Sequence, residues 1–391
     1  MASAPGVETR ESEVEKKKAE AELRPKVLLV SPLPPPEGGV ATWTQRFLGS
    51  DVAENVTLHH LNTALASHDD LSASLMARAA RALTALFRFA WGCVRIRPKV
   101  VHLTTHGFAS YYRDMLYVFV AKAIGAKVIL NIRFGDLDRF LAGVPAIASP
   151  VVKASLRACW CLVPITRAAA EVAVQTGNPR VEVIPNCVDI RDDMKRTTPN
   201  GEGLRVLYIG WVIPAKGIAE LVEAVGRVDG ATLTIIGPAI QRLSGGDGRW
   251  VERVIAELRV GEQVNLAGRV EPEETRSAYR THDVLALASY REGFSNVVIE
   301  AMEAGIPVVA TGVGANTEIL RDGTDGFIVE VRDVDQLADR LQWLRDHPVE
   351  REKMGRNARQ RVKELYSVEK VSTMWVDLYA RAVAKETVAG G

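Results

Sequence analysis

The chain predicts an α/β fold built from two doubly wound parallel sheets, and three observations carry that expectation. Short apolar runs suited to buried strands alternate with helix-period segments along most of the length. A polar stretch at 191–203, with Pro and Gly but no apolar period, interrupts the alternation. Beyond it the alternation restarts, so the 391 residues read as two units joined by a linker.

Residues 1–24 are rich in Glu, Lys and Ala and hold no apolar run like that of a signal peptide, which makes them a charged, solvated tail. A first domain follows over 25–190. Its opening strand is KVLLVSPLP, 26–34, followed by the loop PPPEGGVATW and a helix from Ala41. Further strands read at 56–61, 99–104, 127–132, 160–165 and 181–184, with helical patterns at 71–96, 112–124 and 166–176. The second domain spans 204–366. Strands read at 205–210, 231–237, 263–267, 284–288, 307–311 and 327–329. Helices fall at 217–228, 248–258, 272–280, 296–304, 315–321, 333–346 and 349–364, and a last helix at 367–385 has no strand after it.

Composition excludes several classes. With 47% hydrophobic and 25% charged residues the chain is an ordinary globular protein, and a net charge of +1 gives no bulk attraction for nucleic acid. No run of 18 apolar residues suggests a membrane span. The four cysteines read as core thiols, because Cys159 and Cys161 alone make no zinc site and Cys93 and Cys187 lie far away. This is the pattern of a cytoplasmic protein.

The most informative stretch is SYREGFSNVVIEAMEAGIPVVATGVGANTEIL. The strand VLALAS runs into a turn at Arg291–Phe294. Ser295 is placed to cap a helix from Asn296, which Gly305 and Pro307 end before the strand PVVAT. Loops at the carboxyl ends of parallel strands are where ligands bind. Glu292 therefore sits in a ligand-binding loop beside a helix N-terminus whose N–H groups suit a phosphate, and Glu300 lies further along that helix. Carboxylates accept from diols, so two acids flanking an anion site match a sugar nucleotide. Taken in isolation, each acid is more often just solvated.

The whole run from Glu292 to Gly314 resembles the donor-site motif of retaining glycosyltransferases of family 4, which have the GT-B fold: E-G-F, then E-A-M, then G-x-P-V-V-A-T-x-x-G. The resemblance implies two Rossmann-like domains facing a cleft, with the C-terminal segment 367–391 crossing back to an acceptor-binding first domain. It implies that Glu292 holds the transferred sugar, that Glu300 holds the ribose, and that Gly293, Phe294, Ser295 and Asn296 offer N–H groups to the diphosphate. The segment after the linker, YIGWVIPAKGIAEL, resembles the family's G-R-x-x-x-x-K-G, so Lys216 is expected at the diphosphate. Trp211 stands in the arginine place, leaving Arg242, Arg249 and Arg269 as stand-ins. The Gly268-Arg269-Val270 turn occupies the place that holds the base by main-chain groups. Gly38 and Gly39, after the first strand, face the diphosphate in the family, and they are not part of a G-x-G-x-x-G fingerprint, which argues against a dehydrogenase.

Other departures fall in the first domain. Where relatives have His-Gly near the transferred sugar this chain has Phe134-Gly135, so His106, after the preceding strand, is the candidate for that role, while Arg133 and Asp136 are candidates for sugar or acceptor. His102 lies within its strand and reads as packed. The turn Ile184-Pro185-Asn186-Cys187-Val188-Asp189 resembles the family's I-P-N-G-V-D and reads as structural. Helix 71–97 is basic and amphipathic. Leu75, Ala79, Ala82, Leu86 and Phe89 recur at helical spacing among Arg78, Arg81, Arg88, Arg95 and Arg97, which suits either a packed crossover or an anionic membrane surface.

The expected activity is retaining transfer of a sugar from a nucleotide-diphosphate sugar to an acceptor hydroxyl, in polysaccharide or glycoconjugate assembly, on an acceptor that in many relatives is lipid-linked. No cofactor or metal is expected, since there is no D-x-D motif in a suitable loop. A sugar-nucleotide epimerase of the same fold and a non-catalytic sugar-nucleotide binder remain open alternatives at this point.

Overall fold

A computed structural model describes residues 24–34, 39–64, 75–191, 203–240 and 249–384. The chain divides into two compact units. The first holds the described residues up to Pro164, then Ala170–Ile184, and the chain from Ser372; the second holds Ile165–Ala169 and Pro185–Val371. Most of the linker expected at 191–203, namely 192–202, lies outside the described residues.

In the first unit five parallel strands are ordered β2-β1-β3-β4-β5. They are β1 Lys26–Ser31, β2 Thr57–Asn62, β3 Val100–Thr105, β4 Lys127–Ile132 and β5 Cys161–Pro164. Strands β1, β3, β4 and β5 are buried apolar runs because helices cover the sheet, the situation that favours parallel pairing. Helices Leu75–Ile96, Phe108–Ala123 and Ser149–Ala158 pack side by side in one layer, where the Phe89 ring stacks on Tyr117 at 4.4 Å. The expected strand at 181–184 runs beside β5 as an irregular extended segment: Val181 bridges Leu162 in parallel, and the Glu182 and Ile184 N–H groups donate to the Leu162 and Pro164 carbonyls. Helices Leu137–Ala142 and Ser149–Ala158 were not legible, since prolines at 145 and 150 break the apolar period between them.

The second unit is a six-stranded parallel sheet, β11-β10-β9-β6-β7-β8. Its strands are β6 Leu204–Ile209, β7 Ala231–Ile236, β8 Val264–Gly268, β9 Val284–Leu287, β10 Val308–Thr311 and β11 Gly326–Val329. Val206, Leu207, Leu233, Leu285 and Val309 lie at its buried centre. Truncating one of these to Ala would cost about 2–5 kcal/mol.

The last helix, Val368–Val383, begins in the second unit and from Ser372 belongs to the first. There Trp375 stacks on His102 at 4.3 Å and meets Trp43 and Phe47 edge-on or tilted. The Tyr379 hydroxyl lies 2.6 Å from His102 Nδ1. Full burial, with the Arg133 charge nearby, pushes the His102 pKa down to about 3, so the ring is neutral and packed, as its strand position implied. All four cysteines are buried free thiols, and burial raises Cys93, Cys159 and Cys161 above the usual thiol range.

In each sheet the strand order reverses beside the first strand: between β1 and β3 in one unit, between β6 and β9 in the other. Helix connections leave to opposite sides at such a point and open a crevice beyond the carboxyl ends of the two strands.

Candidate functional site

The crevice of the second unit is lined by the loops after β6 and β9. Strand β6 leads into a 3-10 turn at Pro214–Lys216 and then Gly217 at φ 64°. A Cβ at Gly217 would lie 1.9 Å from the Ala288 carbonyl, so only glycine lets the two loops touch main chain to main chain. Tyr290 N–H donates to the Ala215 carbonyl at 3.0 Å and fixes the same contact. As a result the Lys216 ammonium donates to Glu292 Oε1 at 2.6 Å. The Ser289 hydroxyl donates to that same oxygen at 2.7 Å. Both of these bonds fall on Oε1.

The loop after β10 closes on this pair from the other side. Gly314 has φ 57°, and a Cβ there would come within 2.3 Å of the Glu292 carbonyl. Ala315 N–H donates to the Gly293 carbonyl at 2.9 Å. Between these contacts starts helix Asn296–Glu303. Ser295 holds the expected cap position with extended backbone, but its side chain makes no capping bond; it is buried instead. Asn296 Oδ1 accepts from Asn186 Nδ2 at 2.7 Å, which anchors the helix start to the Ile184–Asp189 turn. The first-turn N–H groups of a helix have no intrahelical partner, and they carry the positive end of its dipole. One turn on, Glu300 is half-buried and accepts from the Tyr279 hydroxyl at 3.1 Å.

Ser289 and Tyr279 were not foreseen. Neither has a spacing signal; only the fold brings β9's end and helix Pro272–Thr281 to the two glutamates. The remaining expected residues are placed as follows. Gly237 N–H donates to Gly268 O at 2.7 Å, so the ends of β7 and β8 are stitched, with Arg269 exposed and Val270 half-buried just beyond. Trp211 is 53% exposed, with its carbonyl accepting from the Tyr208 hydroxyl. Arg249 stands at the start of helix Trp250–Leu258, and Arg242 lies outside the described residues.

In the first unit the crevice lies beyond β1 and β3. Gly39 opens helix Gly39–Leu48, and Gly38 lies outside the described residues. His106 follows β3 and is exposed by area; protein crowding one side of the ring, together with the Arg113 and Arg133 charges, lowers its pKa. Arg133 is buried with its guanidinium 4.2 Å from the centre of the Trp43 ring, and its N–H donates to Thr105 O. Asp136 precedes helix Leu137–Ala142 without a capping bond. Phe134 packs with Phe108 and Phe140, so the place of the absent histidine is an aromatic cluster. Among the described residues no group of three or more His, Cys, Asp or Glu is arranged to hold a metal ion.

An ammonium–carboxylate pair near a helix N-terminus at a switch point, with a second carboxylate one turn along, has the chemistry to bind an anionic ligand bearing hydroxyl groups. Comparison with known proteins makes this more particular. Residues 189–361 match the family model for glycosyl transferases group 1, and the matched segment contains both glutamates and Lys216. A curated relative, an MMP alpha-(1->4)-mannosyltransferase of Mycolicibacterium hassiacum, is 32% identical over 174 residues, 44% of this chain and 42% of the relative. The chain thus aligns to less than half of that protein's length. Sucrose-phosphate synthase from Thermosynechococcus elongatus superposes with a TM-score of 0.73 at 20% identity, over 92% of this chain and 99% of the other. HepE of Anabaena, solved in complex with UDP, gives 0.72 at 14% identity over 91% and 100%. These neighbours establish the GT-B fold of two Rossmann-like units.

Proposed function

We propose that this protein is a retaining glycosyltransferase that moves a sugar from a nucleotide-diphosphate donor to an acceptor hydroxyl in polysaccharide or glycoconjugate assembly. The observation that carries the reading is the Lys216–Glu292 pair, 2.6 Å apart at the β6/β9 switch point inside the matched segment. UDP in the HepE structure and the mannosyl and sucrose-phosphate activities in the names of the other two proteins favour a sugar nucleotide.

Each group then has a task. Glu300, steadied by Tyr279, accepts from the ribose hydroxyls. Glu292 holds the transferred sugar. Lys216 has three N–H donors and uses one on Glu292, which leaves two for the diphosphate. The N–H groups from Gly293 to Asn296 serve the same phosphates, and Arg269 and Val270 serve the base. The bond from the anomeric carbon to the phosphate oxygen breaks as negative charge grows on the diphosphate, and Lys216 with the helix terminus stabilises that charge. The acceptor oxygen bonds to the anomeric carbon on the same face, and its proton passes to the departing phosphate. On the first unit, His106, Arg133 and Asp136 are the candidates for contacts with sugar or acceptor. Because a fixed ammonium and a helix terminus offset the developing charge, the reaction proceeds without a metal or other cofactor, and EDTA leaves the rate unchanged.

The test is a thermal-shift panel of UDP-, GDP-, ADP- and TDP-sugars, followed by NMR of the product anomer. A matched donor at a hundred times Kd stabilises by about 2.7 kcal/mol. No shift with any donor would sink the reading. Inverted product would overturn retention alone, and donor isomerisation without acceptor would make the protein an epimerase.

A further inference from the structure

Helix Leu75–Ile96 is apolar on two sides. Phe89 and Cys93 point inward and are fully buried, and Leu86 is half-buried, so the stripe expected from the sequence faces the sheet over this part. At 3.6 residues per turn, Met76, Leu83, Phe87, Trp91 and Val94 fall about a third of a turn round from that stripe, and all are exposed, Phe87 by 70% and Trp91 by 59%. The adjoining helix Phe108–Ala123 repeats the pattern: Phe108, Tyr112, Leu116 and Phe119, spaced by three and four, are exposed on one face. Val151 extends it onto helix Ser149–Ala158. A run of apolar side chains across three packed helices exceeds what isolated surface residues explain.

Charge on the layer has one sign. Helix Leu75–Ile96 contains no Asp or Glu, and neither does helix Ser149–Ala158. The one acid of helix Phe108–Ala123, Asp114, is buried and paired with Arg113 at 2.7 Å. Arg81, Arg88 and Arg95, seven residues apart, form an exposed stripe along one edge of the outer apolar face, and Lys122 and Lys153 are exposed on the other two helices. A second copy of this chain is a poor occupant, because a two-fold interface would set that arginine stripe near itself. An anionic surface that also accepts apolar rings satisfies both features.

We propose that the outer face of this three-helix layer docks on an anionic lipid bilayer. Leu83, Phe87, Trp91 and Val94 enter the headgroup boundary, and Arg81, Arg88 and Arg95 meet lipid phosphates. No helix among the described residues is long and apolar enough to cross a membrane, so the contact is peripheral. It does not depend on the sugar-transfer reading.

The full chain is floated with vesicles of phosphatidylcholine alone or mixed with phosphatidylglycerol, at low and high salt. Binding is expected only to the anionic vesicles, weakening as salt rises. The triple variant R81Q/R88Q/R95Q should lower partitioning on the order of a hundredfold. The double variant F87S/W91S should abolish stable binding even at low salt. Both should melt like wild type, since all five side chains are exposed; if the double variant does not fold, the arginine variant carries the test. Failure of wild type to bind anionic vesicles at low salt overturns the proposal. So does equal binding by the variants, or self-association through this face in place of vesicle binding.

Discussion

Removing the Lys216 ammonium separates the catalytic reading from a structural one. Its side chain and that of Glu292 are 24% and 12% exposed, so the pair is partly screened by solvent. Such a pair is worth about 1 kcal/mol or less to stability. At the transition state the same ammonium would face a leaving diphosphate, where losing one stabiliser costs about a hundredfold in rate, or about 2.7 kcal/mol. Lys216→Ala should therefore cut kcat on the order of a hundredfold at saturating donor while the melting temperature barely moves. Glu292, left with only the Ser289 hydroxyl, would add repulsion toward the phosphates. The double variant Lys216→Ala/Glu292→Gln distinguishes the two accounts: if the ion pair only shaped the loop, the double variant would be no worse than either single one, whereas separate roles make it worse than both. Trp211 is exposed, so Trp211→Arg fits sterically and should be tolerated or activating. If Lys216→Ala keeps nearly full kcat, the diphosphate lies elsewhere and the reasoning fails.

Three other outcomes follow from the same geometry. Glu300→Ala should weaken binding of the free nucleoside diphosphate by about 1.5–3 kcal/mol in calorimetry, and Tyr279→Phe by about 0.5–1.5 kcal/mol; unchanged affinity in a folded Glu300→Ala would remove the ribose assignment. Glu292→Gln should lower turnover more than nucleotide affinity, because contacts to the reacting sugar tighten at the transition state; equal loss of both contradicts that role. His102 has its folded pKa, about 3, below the unfolded value of 6.5, so the unfolded chain takes up the proton first. Its contribution to stability is intact above roughly pH 6.5 and declines by about 1.4 kcal/mol per pH unit toward pH 3. Urea unfolding at several pH values should show that slope in wild type and a shallower one in His102→Phe; identical slopes would refute it.

The second unit was largely legible because its strands are unbroken apolar runs and its loops carry residues with one purpose. Glycine at 217 and 314 is demanded by main-chain contact, and Glu292, Glu300 and Lys216 stand at fixed offsets from strand ends. What stayed hidden depends on contacts between segments far apart in sequence. The Ser289 and Tyr279 hydroxyls become partners of the glutamates only when β9 and helix Pro272–Thr281 are in place. The outer face of helix Leu75–Ile96 was missed for another reason. A helix with two apolar stripes shows a blurred period, and the inward stripe containing Phe89 was the one the pattern exposed. In the first unit, Phe134 looked like a vacancy in a motif, but Phe108 and Phe140 make it a packing residue.

The final helix sets the timetable of synthesis. Trp375 and Tyr379 complete a core whose other members, Trp43, Phe47 and His102, leave the ribosome some 270 residues or more earlier. The half of the molecule made first is thus the half finished last. Until Trp375 and Tyr379 are made, His102 and its aromatic neighbours stay uncovered on a nascent unit, a surface that invites chaperones. Strictly vectorial folding, unit after unit, is closed to these two units, and truncation before Trp375 would leave the core around His102 without a lid.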